Sequence, residues 1–231
     1  MPRTVMITGA AGNLGRAVAQ VFASEGDTLV LVDRSTEALV RAFGEAGAQR
    51  VLVDVDLLDG AQVDAAVASV TDRHGGIDVL CNLAGGFSMG APVHSTQEAD
   101  WQRMQDLNVR TVLNTARAVV PGMVQRKHGK IVNVGANAAL RGAAGMGAYV
   151  ASKAQVLRLT ETMAAELREH GINVNCVLPS IIDTPENRAN MPDADPKRWV
   201  KPTQLAAVIA FLASDAAAAV HGACLPVTGL S

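Results

Sequence analysis

The sequence of 231 residues is poor in aromatic side chains, with two Trp, four Phe and a single Tyr, although 49% of its residues are hydrophobic. A hydrophobic content of this size excludes an intrinsically disordered chain, because there is enough apolar surface to bury. A core with so few rings must be built from Ala, Val, Leu and Ile. The one tyrosine, Tyr149, is therefore a candidate functional residue.

The chain also lacks an excess of charge of either sign. The chain has 20 Lys and Arg against 22 Asp and Glu, a formal net charge of −2, so it offers no electrostatic footprint for a nucleic-acid partner. No apolar run approaches the roughly 20 residues needed to cross a bilayer, so no membrane partner is predicted. The chain runs directly into an apolar strand pattern without a basic and apolar leader, which favours a cytoplasmic location.

The cysteine and histidine residues indicate neither disulfide bonds nor a metal site. Cys81, Cys176 and Cys224 are far apart in apolar stretches, and we expect them to be small buried hydrophobic side chains in a reducing compartment. The five His residues are scattered without metal-ligand spacing, so no metal site is predicted.

Short β-branched apolar runs alternate with longer helical patterns along the whole chain. The predicted strands cover 4–8, 28–33, 51–55, 79–82, 130–134, 172–178 and 223–227, and the predicted helices cover 15–24, 36–46, 62–73, 101–125, 149–169 and 203–214. This alternation predicts an α/β protein with βαβ units and a parallel sheet. Without a repeat or a linker, residues 1–231 are predicted to form one domain.

The segment 180–200 breaks this alternation. It holds Pro185, Pro192 and Pro196 and lacks clear periodicity. Because it follows the sixth predicted strand, it lies at the carboxyl ends of the strands, where open α/β sheets bind ligands. We predict a mobile lid, with a plain surface loop as the alternative.

A glycine-rich turn follows the first predicted strand and opens the first helix, in the sequence Thr8-Gly9-Ala10-Ala11-Gly12-Asn13-Leu14-Gly15. Glycines in this place let the backbone turn tightly and approach a pyrophosphate, which the free N–H groups and dipole of the helix then stabilise. The context of strand, turn and helix favours a dinucleotide site over a simple tight turn.

Further residues extend this site. A carboxylate at Asp33, which ends the second strand, accepts both ribose hydroxyls of NAD and repels a 2′-phosphate. Arg34 next to it can soften that preference, so we expect NAD(H) to be preferred without NADP(H) being excluded. Asp56 and Leu57, which follow the third strand, are candidates for contact with the edge of the adenine. The alternative for Asp56 is a turn or helix N-cap residue, and the sequence favours neither. Asn82-Leu83-Ala84-Gly85-Gly86 forms a second glycine turn beside the cofactor.

Tyr149 and Lys153 are four residues apart at the start of a helical pattern, so they share one face. An ammonium near a phenol favours the phenolate and brings its pKa closer to neutrality. The tyrosine then serves as a proton donor or acceptor. The alternative is an exposed pair without a role.

Together these motifs resemble the short-chain dehydrogenase/reductase family across essentially the whole chain. The resemblance rests on Thr8–Gly15, Asn82–Gly85, Asn108, Tyr149-x-x-x-Lys153 and Pro179-Ser180-Ile181-Ile182-Asp183-Thr184. It implies a single-domain Rossmann fold with a doubly wound, seven-stranded parallel sheet, helices on both faces, a nicotinamide cofactor and a homotetramer or homodimer.

The resemblance also implies roles for individual residues. Tyr149 is the acid/base, and Lys153 holds the cofactor ribose and tunes Tyr149. Asn108 positions a water of the proton relay. Near the lid, Pro179 belongs to the cofactor motif, and Ile182 and Thr184 contact the carboxamide of the nicotinamide.

The chain departs from the family pattern most clearly at Ala136. The family keeps a serine 13 residues before the tyrosine, and its hydroxyl donates a hydrogen bond to the reacting carbonyl oxygen. Losing one such donor costs about 10²–10³ in rate, unless Asn137 or water replaces it. The family also keeps its glycines at a different spacing from 9, 12 and 15, and an asparagine where Leu83 stands.

A conjugated C=N or quinonoid acceptor needs that donor less, because its negative charge is delocalised. Residues 135–146 and 183–195, with the glycines at 9, 12 and 15, are similar to quinonoid dihydropteridine reductases, which also lack the serine and prefer NADH. Phe87 and Trp199 are candidates for the substrate pocket, together with Ala136 and Asn137.

We therefore predict an NAD(H)-dependent oxidoreductase acting on a small carbonyl or conjugated acceptor. The alternatives are a dihydropteridine reductase proper, and a cofactor-binding protein with weak or no catalysis.

Overall fold

A computed structural model of the chain describes residues 2–231. Seven strands form one sheet in the order β3-β2-β1-β4-β5-β6-β7, and all neighbouring strands are parallel. The strands are β1 (Thr4–Thr8), β2 (Thr28–Asp33), β3 (Arg50–Asp54), β4 (Val79–Asn82), β5 (Gly129–Val134), β6 (Ile172–Pro179) and β7 (Cys224–Val227). The predicted α/β class and the seven-stranded parallel sheet are confirmed.

Eight helices connect these strands. They are α1 (Asn13–Ser24), α2 (Thr36–Phe43), α3 (Gly60–His74), α4 (Glu98–Gln105), α5 (Thr111–Arg126), α6 (Gly147–Leu167), α7 (Pro185–Asn190) and α8 (Pro202–Leu212). Residues 101–125 are helical as predicted, but a π-helical turn at Asp106–Arg110 separates α4 from α5. Within residues 2–231, no helix is long and apolar enough to cross a membrane.

The strands alternate their side chains between two apolar layers, as both faces of a parallel sheet require when helices cover them. One layer packs β-strand residues such as Ile7 and Val132 against α1 and α8. The other packs residues such as Met6 and Ile131 against α3, α5 and α6. This arrangement is the predicted doubly wound Rossmann fold, and it is built mainly from aliphatic side chains.

The order of the strands places the candidate site. β1 pairs with β2 on one side and with β4 on the other, so the chain reverses its direction of winding at β1. Open α/β sheets bind ligands at this switch point, in the crevice outside the carboxyl ends of the strands. The glycine turn after β1 and the glycine turn after β4 both lie there.

The segment 180–200 is more ordered than its sequence predicted. It contains α7 and a 3₁₀ turn at Pro196–Arg198, and Ile182 pairs with Val200 in an isolated parallel bridge. Arg188 donates two hydrogen bonds to the carboxylate of Asp183, at 2.6 and 2.8 Å. The aperiodic pattern hid α7 because six residues are too few to show a helical period. The segment is therefore locally ordered, and its role as a mobile lid stays a prediction.

Residues 228–231 hold both ends of this segment. The Ser180 hydroxyl donates to the carbonyl of Thr228 at 2.8 Å. The Leu230 N–H donates to the carbonyl of Arg198 at 2.9 Å. One short strap thus anchors the beginning and the end of the segment.

Candidate active site

The first glycine turn is packed too closely for side chains. Gly9 has φ +64°, and a Cβ on it would lie 3.0 Å from Cα of Ala84 in the second turn. A Cβ on Gly15 would lie 2.4 Å from the carbonyl oxygen of Gly9. Gly12 caps α1 without a side-chain hydrogen bond, and Asn13 and Leu14 open the helix. The N–H groups of its first turn are therefore available to an anion.

Asp33 lies beside this turn. Its carboxylate accepts hydrogen bonds from the N–H of Ala11 at 3.0 Å and from that of Arg34 at 2.8 Å. The carboxylate is half-buried, and the side chain of Arg34 is exposed. Since the end of β2 adjoins the glycine turn, the negative charge sits where the predicted adenosine ribose would bind.

Asp56 forms a turn in the structure. Its carboxylate accepts from the N–H of Leu58 at 3.0 Å, and the side chain of Leu57 is buried in the core. The hydrogen bond supports the prediction that Asp56 is a turn residue, and its contact with adenine stays a prediction.

The second glycine turn connects the cofactor side to the catalytic side. The Thr8 hydroxyl accepts hydrogen bonds from the N–H groups of Leu83 and Ala84, at 3.0 and 3.2 Å. A Cβ on Gly85 would lie 2.8 Å from Oδ1 of Asn108 and 3.2 Å from Nζ of Lys153. Gly85 therefore lets this turn touch two of the predicted catalytic residues.

The side chain of Asn82 points into the core rather than toward the cofactor crevice. Its amide donates to Asn133 at 2.9 Å and accepts from the Thr115 hydroxyl at 2.8 Å. Asn133 in turn donates to the Thr160 hydroxyl at 2.9 Å. Buried polar groups need such partners, so this network ties β4 and β5 to α5 and α6. Only the backbone of Asn82 is therefore available for the predicted contact with the cofactor.

Tyr149 and Lys153 lie in the first two turns of α6. Lys153 is 6% exposed, and its ammonium donates to the carbonyl of Val134 at 2.8 Å. Burial lowers the pKa of Lys153 to about 8 and raises the pKa of Tyr149 to about 12. The predicted lowering of the tyrosine pKa is therefore wrong, because burial of the phenol raises it. At neutral pH Tyr149 is a proton donor.

The depressed pKa of Lys153 predicts a pH-dependent stability. The unfolded lysine titrates at 10.5 and the native one at about 8, so between these values the unfolded state binds the extra proton. The unfolding free energy of the wild type, relative to Lys153→Met, should therefore rise by about 3 kcal/mol from pH 8 to 10.5. Chemical denaturation at several pH values measures this difference.

Lys197→Met, which removes an exposed ammonium, controls for the change in net charge. A difference between wild type and Lys153→Met that stays constant over this range would show that the native ammonium is well solvated. The raised pKa of Tyr149 changes the unfolding free energy at higher pH and with the opposite sign. The native phenol keeps its proton from about pH 10 to 12, so stability falls as the pH rises through this range.

Asn108 lies in the π-helical turn, and its side chain is 1% exposed. Its amide oxygen accepts from the N–H of Gly86 at 2.8 Å, and its amide nitrogen donates to the carbonyl of Gly86 at 3.1 Å and to the Ser152 hydroxyl at 3.0 Å. Ser152 donates to the carbonyl of Tyr149 at 2.8 Å. The amide hydrogens of Asn108 are thus used within the protein, and its role with a relay water stays a prediction.

Ser152 is a buried residue next to the predicted catalytic residues that the sequence did not single out. It is fully buried and connects Asn108 to the start of the catalytic helix. Its position directly before Lys153 was the only signal, and serine is common enough that the signal carried no weight.

The Phe87 ring lies against Tyr149 with its centroid 4.9 Å from that of the tyrosine and the planes at 75°. Phe87 is 55% exposed, so about half of its surface remains accessible. Ala136 is buried and Asn137, half-buried, begins a 3₁₀ turn. Trp199, by contrast, is 5% exposed and is packed in the fold of its segment.

The segment 180–200 touches the first glycine turn. The Asn13 amide donates to the carboxylate of Glu186 in α7 at 2.8 Å. Thr184 caps α7 by accepting from the N–H of Asn187, and the carbonyl of Ile182 accepts from the Asn187 amide at 2.8 Å. Pro179 ends β6 just before this segment. The segment therefore reaches the predicted pyrophosphate site, and Glu186 had no signal in the sequence.

A doubly wound sheet with a glycine turn at its switch point is typical of dinucleotide-binding proteins, and comparison with known proteins supplies the family. Residues 3–195 match the family model described as short chain dehydrogenase. A 3-oxoacyl-[acyl-carrier-protein] reductase FabG of Thermotoga maritima is 35% identical over 239 residues, covering 98% of this chain and 96% of that protein. The chain belongs to the short-chain dehydrogenase/reductase family and is an NAD(P)-dependent oxidoreductase.

Solved structures agree with this assignment. The crystal structure of levodione reductase superposes with a TM-score of 0.90 at 33% identity, covering 98% of this chain and 96% of that one. NAD⁺-bound xylitol dehydrogenase superposes with a TM-score of 0.89 at 29% identity, covering 98% of both chains.

Proposed function

We propose that the protein is an NADH-dependent reductase of a small, planar acceptor in which a conjugated C=N or quinonoid system receives the hydride. The observation that carries this proposal is Ala136, a buried methyl group at the position where the family keeps a hydroxyl donor. A simple ketone needs that donor for its developing oxyanion. An acceptor that spreads the negative charge over a ring system needs it less.

The residues around the site support a division of roles. When bound, the nicotinamide supplies or accepts a hydride at its C4. Tyr149 keeps its proton at neutral pH and donates it to the acceptor as negative charge develops there. Lys153, held by the Val134 carbonyl beside Gly85, anchors the cofactor ribose and supports that transfer. Phe87, exposed beside Tyr149, contacts the planar acceptor.

The test is a panel of acceptors with both cofactors. We expect NADH oxidation with quinonoid dihydropterin or with quinones to exceed that with simple ketones by at least a factor of ten in kcat/KM. Turnover restricted to quinonoid dihydropterin would identify a dihydropteridine reductase proper. Faster turnover of ketones would contradict the proposal. NADH binding without turnover of any acceptor would leave a cofactor-binding protein with little catalysis, the alternative that the missing donor at Ala136 favours.

Asp33 supports the preference for NADH. Asp33→Asn should weaken NADH binding by about 10–100-fold, since hydrogen bonds to a charged group contribute about 1.5–3 kcal/mol, and should improve NADPH binding because the repulsion of the 2′-phosphate is lost. Fluorescence titration with both nucleotides measures the two Kd values. Asp64→Asn, an exposed carboxylate on α3, is the matched control. If Asp33→Asn keeps the wild-type ratio of the Kd values for NADH and NADPH, a residue other than Asp33 sets the preference for NADH.

We also propose that the chain forms a homotetramer or homodimer. Among its exposed large hydrophobic residues are Trp101 on α4, Phe211 on α8 and Leu225 on β7, with 37%, 47% and 38% of their surface exposed. A partner subunit would remove these side chains from water. A light-scattering mass of about 24 kDa, that of one chain, would refute this assembly.

A further inference from the structure

Two of the three cysteines meet in the sheet. Cys176 in β6 and Cys224 in β7 are direct partners in the parallel register. Their side chains lie on the face that α6 covers and pack in one cluster with Val156, Leu157 and Leu178. Neighbouring strands are about 4.7–4.9 Å apart, which lies within the Cα separations of about 4.4–6.8 Å that disulfides span. The expectation of a buried cysteine is confirmed for Cys176 and is wrong for Cys224, which is only half-buried.

The two thiols differ in access. Cys176 is completely buried, whereas Cys224 is half-buried and borders solvent. The neighbouring thiol lowers the pKa of Cys224 and raises that of Cys176, which burial raises further. The thiolate is the nucleophilic form of cysteine. Cys224 is thus the member of the pair that meets an oxidant first.

We propose that Cys224 and Cys176 form a redox-active dithiol that peroxide converts reversibly to a disulfide. The Cys224 thiolate attacks one peroxide oxygen, giving a sulfenic acid and releasing hydroxide, which is protonated to water. The Cys176 thiol then attacks the sulfenic sulfur, forming the S–S bond and releasing a second water. Two thiols lose two electrons and two protons in all, and one hydrogen peroxide is reduced to two waters.

The position of the pair connects it to the active site. A Cβ on Gly135 would lie 3.1 Å from Sγ of Cys176, so the buried thiol packs directly against that backbone. The preceding residue, Val134, holds the Lys153 ammonium through its carbonyl. Drawing Cys176 toward Cys224 therefore changes the packing behind the lysine that anchors the cofactor ribose in the proposed mechanism. We expect the disulfide to lower turnover.

The experiment treats the full chain with stoichiometric hydrogen peroxide and counts thiols after denaturation. We expect the three free thiols to fall to one and the intact mass to fall by two hydrogen atoms, with dithiothreitol restoring both. Tryptic mapping should find Cys176 linked to Cys224. Cys81→Ser should behave like the wild type, because burial raises the pKa of Cys81 to about 12 and keeps that thiol inert.

Cys224→Ser should abolish the mass loss, and Cys176→Ser should leave a stable oxidised adduct on Cys224. The proposal is overturned if the wild type gains oxygen without losing two hydrogens, if Cys81 reacts as fast as Cys224, or if no thiol reacts. These chemical readouts do not depend on the proposed function. If the disulfide forms while NADH-dependent turnover stays unchanged, the dithiol is real but its connection to Lys153 is wrong.

Discussion

Tyr149→Phe should lower kcat by about 10²–10⁴, the range that a positioned general acid contributes, and should leave NADH binding nearly unchanged. The substitution removes the phenol proton and keeps the ring, so the edge contact with Phe87 at 4.9 Å is preserved. Steady-state turnover with the best acceptor of the panel, together with the Kd for NADH, separates the loss of proton transfer from a loss of binding.

Phe43→Leu is the matched control, because it removes a half-buried ring at the end of α2, outside the catalytic helix, and should leave turnover as it is. Turnover of Tyr149→Phe within a factor of two of the wild type would show that the proton comes from elsewhere, for example from solvent. A weakened Kd for NADH with an unchanged kcat would instead assign the tyrosine to cofactor binding.

Ala136→Ser should raise kcat/KM for simple ketones by about 10–100-fold and change that for conjugated acceptors by less than about threefold. The hydroxyl restores a donor of the kind whose loss costs about 10²–10³ in rate, and alanine to serine adds a single oxygen to a buried site. Competition between a ketone and a quinonoid acceptor, measured in one reaction, gives the ratio directly.

Ala164→Ser buries the same hydroxyl on the far part of α6 and controls for general destabilisation. If Ala136→Ser gains nothing with ketones while folding normally, the methyl group of Ala136 is not what restricts the substrate. Asn137 or an ordered water would then already act as the donor in the wild type.

The sequence was informative where physical constraints are local. The tight approach of Gly9 to Ala84, and of Gly15 to the Gly9 carbonyl, leaves no space for side chains, so the spacing of glycines revealed the turn. The apolar runs marked the strands because both faces of a parallel sheet are buried.

The sequence was uninformative where the outcome depends on tertiary surroundings. The pKa of Tyr149 rises because the phenol is buried, and no spacing encodes burial. The π-helical turn at Asp106–Arg110 interrupts a continuous helical pattern, and it aims Asn108 at Gly86 through contacts with a distant loop. The pairing of Cys176 with Cys224 depends on the order of strands, which places residues 48 positions apart side by side.

The strap formed by residues 228–231 has an entropic consequence. A free segment of about twenty residues loses much conformational freedom when it closes over a ligand. Here Thr228 and Leu230 already hold the segment at Ser180 and Arg198, and that loss is incurred largely on folding. Cofactor capture then orders little new backbone, so its affinity should depend more on contacts such as Asn13 with Glu186 than on the length of the segment.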